Sequence, residues 1–245
     1  MNFAQISGIQ IADCDKQALL NQVFDWAKQP QPRTILYVNA HCLNLAARLP
    51  DYRTRLQQAD LVYADGISVV WASRFLGQPR LHKITGRDWI NDFSAQAAQK
   101  AIKMFILAGQ PGIAERAAHH LQSHWHNLNI VGTADGYFST RTESETLQHI
   151  AATAPDVLFV GRGSPLQEHW IAANRPRLNV PVVWAVGALF DYVAGIEKPV
   201  PMWMNRLALE WLWRLLINPR DKWRRYLLGN PEFVVRVFIE RLRHG

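Results

Sequence analysis

From its amino end, the chain switches repeatedly between short, continuous apolar runs and longer stretches in which apolar residues recur every three or four positions. The short runs read as strands buried on both faces: TILYVN (34–39), LVYADG (61–66), IKMFILAG (102–109), PDVLFVG (155–161) and VPVVWAVG (180–187). LNIVGTADGYF (128–138) reads as a strand running into a loop. Helical patterns follow them: LNLAARL (43–49), ISVVWASRFL (67–76), PGIAERAAHHLQSHW (111–125), TESETLQHIAAT (142–153), PLQEHWIAAN (165–174) and ALFDYVAG (188–195). Pro111 takes the first helical position of its segment, and Thr142 or Ser144 caps the next. KQALLNQVFDWA (16–27) is amphipathic, so Asp13-Cys14-Asp15 before it reads as a capped helix start rather than a metal-binding Asp-x-Asp. Such alternation predicts an α/β fold, a mostly parallel sheet with helices on both faces (Rossmann-like). Beyond Gly195 the pattern changes. KPVP (198–201) breaks regular structure, and three helical blocks follow at 202–218, about 220–228 and 232–243, with no further strand. The predicted division is an α/β domain over 1–197 and a small all-helical appendage over 198–245.

Composition changes this picture little, whereas charge changes it more. The 245 residues are 49% apolar and 19% charged, which excludes a disordered chain and suffices for a sizeable core. Cys14 and Cys42 both sit in helical or buried patterns, which argues against a disulfide framework and fits a reducing compartment. The first residues lack the basic start and apolar stretch of a signal peptide. MWMNRLALEWLWRLLI (202–217) is interrupted by Asn205, Arg206, Glu210 and Arg214, which excludes a plain membrane span but not a helix lying on a membrane. Residues 198–245 hold ten Lys/Arg against four Asp/Glu, while the first 197 hold 17 against 16. Trp203, Trp211, Trp213 and Trp223 lie in the same tail. A basic, tryptophan-rich helical tail on a nearly neutral body suggests an anionic surface as partner, membrane or nucleic acid.

In a parallel α/β sheet, ligands bind at the carboxyl ends of the strands. The residues there are Asn39, Asp65-Gly66, Gly109-Gln110-Pro111-Gly112, Asp135-Gly136-Tyr137, Gly161-Arg162-Gly163 and Gly187. So many glycine turns favour a nucleotide or a sugar phosphate, because backbone N–H groups there can approach an anion closely. Neither G-x-G-x-x-G nor G-x-x-x-x-G-K-[ST] occurs, which disfavours a dehydrogenase and a P-loop ATPase. Asp65, between strand and helix, reads equally as a turn or capping residue and as a general base reaching a substrate hydroxyl. His119, His120, His124 and His126 crowd one solvated helix face and the turn after it, with no acid partner at a ligating offset. No Gly-x-Ser-x-Gly elbow appears.

Several of these stretches together resemble the WecG/TagA/CpsF glycosyltransferases, which build β-linked sugars on polyprenol-diphosphate carriers. The matching stretches are NAHCLNLA (39–46), ADGISVVW (64–71), ITGRD (84–88), FILAGQPGIAERAA (105–118), DGYF (135–138), PDVLFVGRGSPLQEHWI (155–171), AVGALFDYVAG (185–195) and EWLWRLLINPRDKWRRY (210–226). The resemblance implies transfer of a sugar from a UDP-sugar to a polyprenyl-diphosphate-linked sugar, with inversion and without a metal or other cofactor. The donated sugar would be N-acetylmannosamine, its uronic acid or a hexose, and the product a cell-surface polysaccharide or teichoic acid precursor. Asp65 corresponds to the catalytic base, Asn39 to a polar residue beside it, and Gln167 to a neutral amide facing the donor sugar or diphosphate. Glu168 lies about 100° further round the helix, where capping or pairing with a cation suits it better. Gly109, Gly161, Gly163 and Gly187 correspond to nucleotide-side turns, and Asp135, Tyr137 and Asp191 to nucleotide contacts. Arg214 and Arg224 correspond to appendage arginines that reach the diphosphate.

The chain departs from the family pattern at three points. Lys83 stands where arginine is usual before ITG, Asp221 where a second base follows the proline, with Arg220 as its substitute, and Arg162 lies between two glycines. The implied location is cytoplasmic, peripheral on the inner face of the cytoplasmic membrane. There the basic tail grips anionic lipid, no nucleic acid is bound, and a homo-oligomer is left open. Three other readings stand beside this one: a tail packed as an ordinary helical subdomain or oligomer contact, a non-catalytic nucleotide-sugar or nucleic-acid binding module, and a UDP-sugar-modifying enzyme that needs no lipid.

Overall fold

A computed structural model describes residues 2–244 apart from Pro199, Met202 and 205–208, and the side chains of Thr140, Arg141, Asp221 and His244 are not described. The early part of the 202–218 block thus lies largely outside the described residues. Six strands form one parallel sheet: β3 (Arg33–Val38), β4 (Leu61–Ala64), β5 (Met104–Ala108), β6 (Ile130–Ala134), β7 (Val157–Gly161) and β8 (Val182–Ala185), in the order β4-β3-β8-β7-β5-β6. Period-two alternation sorts their side chains between two cores. Ile106, Phe159 and Trp184 face one, and Phe105, Leu158 and Val183 face the other. Because helices cover both faces, the strands read as unbroken apolar runs, which made them visible in the sequence.

The first core packs under α1 (Lys16–Ala27), α5 (Gly86–Gln99), α6 (Ile113–His124) and α9 (Leu189–Val193). At its centre Trp89 stacks on Trp184 with centroids 4.1 Å apart, and Phe93 and Phe159 pack around them. The second core lies under α2 (Ala40–Arg48), α3 (Pro50–Gln58), α4 (Ile67–Phe75), α7 (Thr140–Thr153) and α8 (Leu166–Asn174). An antiparallel hairpin, β1 (Asn2–Ile6) and β2 (Ile9–Asp13), closes that side. The sequence pattern assigned no element to this hairpin, to α3 or to α5. The hairpin did carry a signal: Ala4, Ile6, Ile9 and Ile11 alternate inward around a Ser7-Gly8 tip with positive φ at both residues.

Three helix starts differ from expectation. Gly112 is left-handed (φ 82°), so α6 begins at Ile113 and Pro111 stays in the turn. Ser139, not Thr142 or Ser144, caps α7, and Thr142 reaches back to the Ser139 N–H at 2.9 Å. Pro165 is the cap of α8 rather than its first helical residue. Asp15 does cap α1, accepting from the Ala18 N–H at 2.8 Å.

After β8 and α9 the described residues form only further helices: α10 (Glu210–Ile217), α11 (Pro219–Trp223), a π-helical turn at Arg224–Leu228, and α12 (Gly229–His244). These helices are not detached from the body. Phe233 and Val237, one turn apart on α12, are buried in the second core. Asn44 donates to the Gly229 carbonyl at 2.7 Å, Arg48 pairs with Glu232, and Glu240 accepts from the Ser7 N–H at 2.8 Å. Much of the tail's other apolar surface stays exposed, including Trp203, Leu216, Leu227, Leu228, Val234, Val235 and Leu242. Among the described residues no helix is long and apolar enough to cross a membrane.

Candidate active site

The connection leaving β7 runs toward β8 and the one leaving β5 runs toward β6, so the chain diverges between β7 and β5 at the sheet's carboxyl edge. A crevice belongs at such a switch point. A polar cavity of about 320 Å³ opens along this carboxyl edge, over the ends of β3, β4, β7 and β8 rather than over the β5 turn. Asn39, Asp65, Tyr137, Gly161, Gly163, Gly187, Asp191 and Arg214 all line it. Beside it an apolar groove of about 560 Å³ runs between α4 and α12. The two share Asn39, His41, Asp65, Glu210, Arg214 and Arg225.

Asp65 sits at this seam because β4 ends one residue before it and its N–H donates to the Val38 carbonyl at 2.8 Å. Asn39 works in two directions: its Oδ1 accepts from the Cys42 N–H at 3.1 Å, capping α2, and its Nδ2 donates to Asp65 Oδ2 at 3.2 Å. Burial pushes the Asp65 carboxyl above the usual carboxylate range, against the pull of Arg214 and of the Asn39 hydrogen bond. Arg214 is itself disfavoured by burial, yet Tyr192, Tyr226 and Asp65 hold it firmly charged. Its guanidinium lies over the Tyr192 ring at 5.4 Å, and Arg87 lies over the same ring at 5.6 Å. Burial, with Arg225, Arg48 and Lys222 nearby, pushes the His41 imidazole down to about 4, so it is neutral at physiological pH. Asp191 is raised by burial and by Glu197.

The glycine side is tighter than a phosphate cradle alone requires. A Cβ on Gly161 would meet the Gly187 carbonyl at 2.6 Å, and one on Gly187 (φ 57°) would meet Tyr37 Oη at 2.5 Å. Two turns here must pass backbone against backbone, which also explains their composition.

Several candidates lie elsewhere. Gln167 is fully buried behind the wall: its Oε1 accepts from the Gly187 N–H at 3.0 Å, and its Nε2 donates to Glu168 at 2.9 Å and Ser164 at 3.3 Å. It therefore does not face the cavity but fixes the turn that does. Glu168 neither caps nor pairs with a cation. Buried, it accepts from Ser164 at 2.7 Å as well as from Gln167. Asp135 accepts from the Gly112 N–H at 3.0 Å, bracing one turn against another, and neither it nor Gly109 lines the cavity. Lys83 lines the apolar groove and pairs with Glu210 at 2.6 Å. Arg162 turns away onto Phe138 at 4.3 Å. Arg220 and Arg224 are exposed outside both spaces, with Arg224 stacked on Trp223 at 5.3 Å. Arg225 takes the inward place.

Neighbouring residues on a helix point in different directions, and here Arg225, on the π-helical turn, is the one turned to the body. His41, Tyr37, Thr85 to Asp88, Ser164, Tyr192, Glu197 and Lys222 also line the cavity and were not singled out from the sequence. His41 had a readable position two residues past a capping Asn. The Thr85–Asp88 segment arrives because the Ile84 N–H bonds to the Ala64 carbonyl at 3.0 Å. Among the described residues no group of His, Cys, Asp and Glu is placed to hold a metal ion, and both cysteines are free and buried.

Fold and site together define a parallel α/β protein whose cleft couples a charged cavity to an apolar groove. The chain belongs to the WecG/TagA/CpsF family of glycosyltransferases, whose sequence profile matches residues 4–245. It is 33% identical over 192 residues, 78% of this chain and 73% of the relative, to an N-acetylglucosaminyldiphosphoundecaprenol N-acetyl-β-D-mannosaminyltransferase of Bacillus spizizenii. A protein of the same description from Bacillus subtilis is 32% identical over 203 residues, 83% of this chain and 78% of its own.

Proposed function

We propose that this glycosyltransferase moves N-acetylmannosamine, or a closely related sugar, from its UDP form to a polyprenyl-diphosphate-linked amino sugar. The transferred sugar and the acceptor are those of the two Bacillus relatives' names, extended to this chain by family membership, and the UDP form of the donor follows from the resemblance alone. The observation that supports the reading best is Asp65, held by Asn39 where a polar cavity meets an apolar groove. An acceptor that is sugar at one end and hydrocarbon at the other needs such a junction.

In this reading Asp65 takes the proton from the acceptor hydroxyl as its oxygen attacks the anomeric carbon from the face opposite the leaving UDP, which inverts that centre. A raised carboxyl pKa makes Asp65 a stronger base than an ordinary aspartate. The leaving diphosphate gathers negative charge, and Arg87 and Lys222, which line the polar cavity and not the groove, supply cations to it, so a metal is not required. The exposed apolar and basic surface of α10–α12 suits the protein to the membrane that holds its acceptor. The test presents UDP-N-acetylmannosamine and related UDP-sugars, with and without chelator, to the wild type and to Asp65→Asn with a polyprenyl-diphosphate-linked acceptor. Transfer with inversion by the wild type alone is expected; equal transfer by the variant would refute the base.

A further inference from the structure

The apolar groove has features that exposed hydrophobic surface alone does not explain. It begins at Asp65, Arg214 and Arg225, the charged residues it shares with the polar cavity, and runs away from them. One wall is α4, with Trp71 and Phe75, and the other is α12, with Val234 and Phe238. Phe75 and Phe238 stack at 6.2 Å, joining body and tail across it. Trp71 and Val234 are 58% and 65% exposed, although they line a concave surface and meet no membrane there by necessity. Isolated exposed hydrophobes need no explanation, but a contiguous apolar channel that ends on a cluster of cations does.

We infer that the groove between α4 and α12 binds the first isoprene units of the acceptor's prenyl chain, with the diphosphate at the Arg214–Arg225 seam. This rests on the reading of Asp65 as the base that meets the acceptor sugar. The chemistry of the ligand follows from the order of the surfaces. Asp65 needs a hydroxyl, the cations beside it suit a diphosphate, and what leaves the diphosphate must be hydrocarbon to enter the groove. A fatty-acyl chain from the bilayer would match the far end but not the cations, and a second protein chain would leave the seam unfilled. The consequence is that the enzyme selects its acceptor partly by the prenyl chain, and lifts the first units out of the bilayer before transfer.

Binding measured without catalysis tests this, using farnesyl diphosphate and dimethylallyl diphosphate with the full-length protein in membrane-free buffer. Farnesyl diphosphate is expected to bind at least about tenfold more tightly, since two further isoprene units bury many methylene equivalents. Val234→Glu should remove that advantage and leave dimethylallyl diphosphate binding unchanged. Val235→Glu is the control: the next residue on α12 is 57% exposed and does not line the groove, so the advantage should survive. Equal affinity for the two diphosphates, or an equal loss in both variants, overturns the groove. The two readings fail separately. Chain-length-dependent, Val234-dependent binding without sugar transfer from any UDP-sugar would end the proposed reaction and keep the groove. Transfer in the absence of chain-length dependence would do the reverse.

Discussion

On the β7–β8 side of the cleft, polar side chains are turned into the wall. Gln167 holds Gly187, Glu168 holds Ser164, and what remains facing the cavity is largely backbone at Gly161, Gly163 and Gly187. On the β3–β4 side the reverse holds. Asn39, His41 and Asp65 from the body meet Glu210, Arg214 and Arg225 from the tail, and all of them face open space. The first side is a rigid template, completed by the sheet alone. The second is assembled from segments more than a hundred residues apart and exists only while the tail is docked. Template and charge are therefore separable, and substitutions on the two sides should fail in different ways.

The largest effect belongs to the assembled side. Asp65→Asn should lower transfer by about 10²–10⁴-fold, the usual share of a general base, with little change in UDP-sugar affinity. Rates near wild type in a direct transfer assay would break the distinction at its centre. Next come the two neighbouring arginines, which the fold treats oppositely. Arg225→Ala should cost about tenfold to a hundredfold in kcat/KM, the worth of a charge-assisted contact, while Arg224→Ala should stay within about threefold. The opposite ranking would mean that Arg224, not Arg225, reaches the substrate.

On the template side the expected loss is mainly of stability. Gln167→Ala leaves the Gly187 N–H and the Glu168 carboxylate each short of a partner in a dry wall. Leaving a buried group unsatisfied costs about 1–3 kcal/mol, readable as a lower denaturant midpoint. Loss of donor binding at unchanged stability would instead put the amide in contact with substrate.

The same contrast explains what the sequence disclosed. Strands buried on both faces announce themselves as apolar runs, and the glycines at their ends mark the template edge, so most of the sheet and the position of the cleft were legible. Gln167 sits at the right place in the chain, but whether its amide points out or in is decided by what Gly187 needs, 20 residues later. Arg225 was hidden for another reason. The resemblance pointed to its neighbour Arg224, and which of two adjacent arginines faces the cleft is decided by how the tail docks on the body. His41 lay unnoticed because a neutral imidazole near cations has no signature in one dimension.

The smallest expected effect, and the finest test of the assembled side, is on stability and concerns the opposed ionisations of His41 and Asp65. Burial and nearby cations lower His41 from 6.5 to about 4, so between those values the unfolded chain binds more protons at this site than the folded one. Its contribution to stability is therefore lost as pH falls from about 6.5 toward 4. Asp65 is raised above its ordinary 3.8 by burial, so there the folded chain binds more protons, and its contribution grows as pH falls through that raised value. The wild type shows the difference of two opposite slopes. Asp65→Asn should unmask the histidine and lose stability more steeply on acidification. His41→Asn should unmask the aspartate and flatten or reverse the slope. Both are read from denaturant midpoints between about pH 4 and 7, the window spanned by the histidine's shift. Slopes that move in the same direction in the two variants would show that the pair does not share one buried seam, and the contrast between the two sides of the cleft would lose its electrostatic basis.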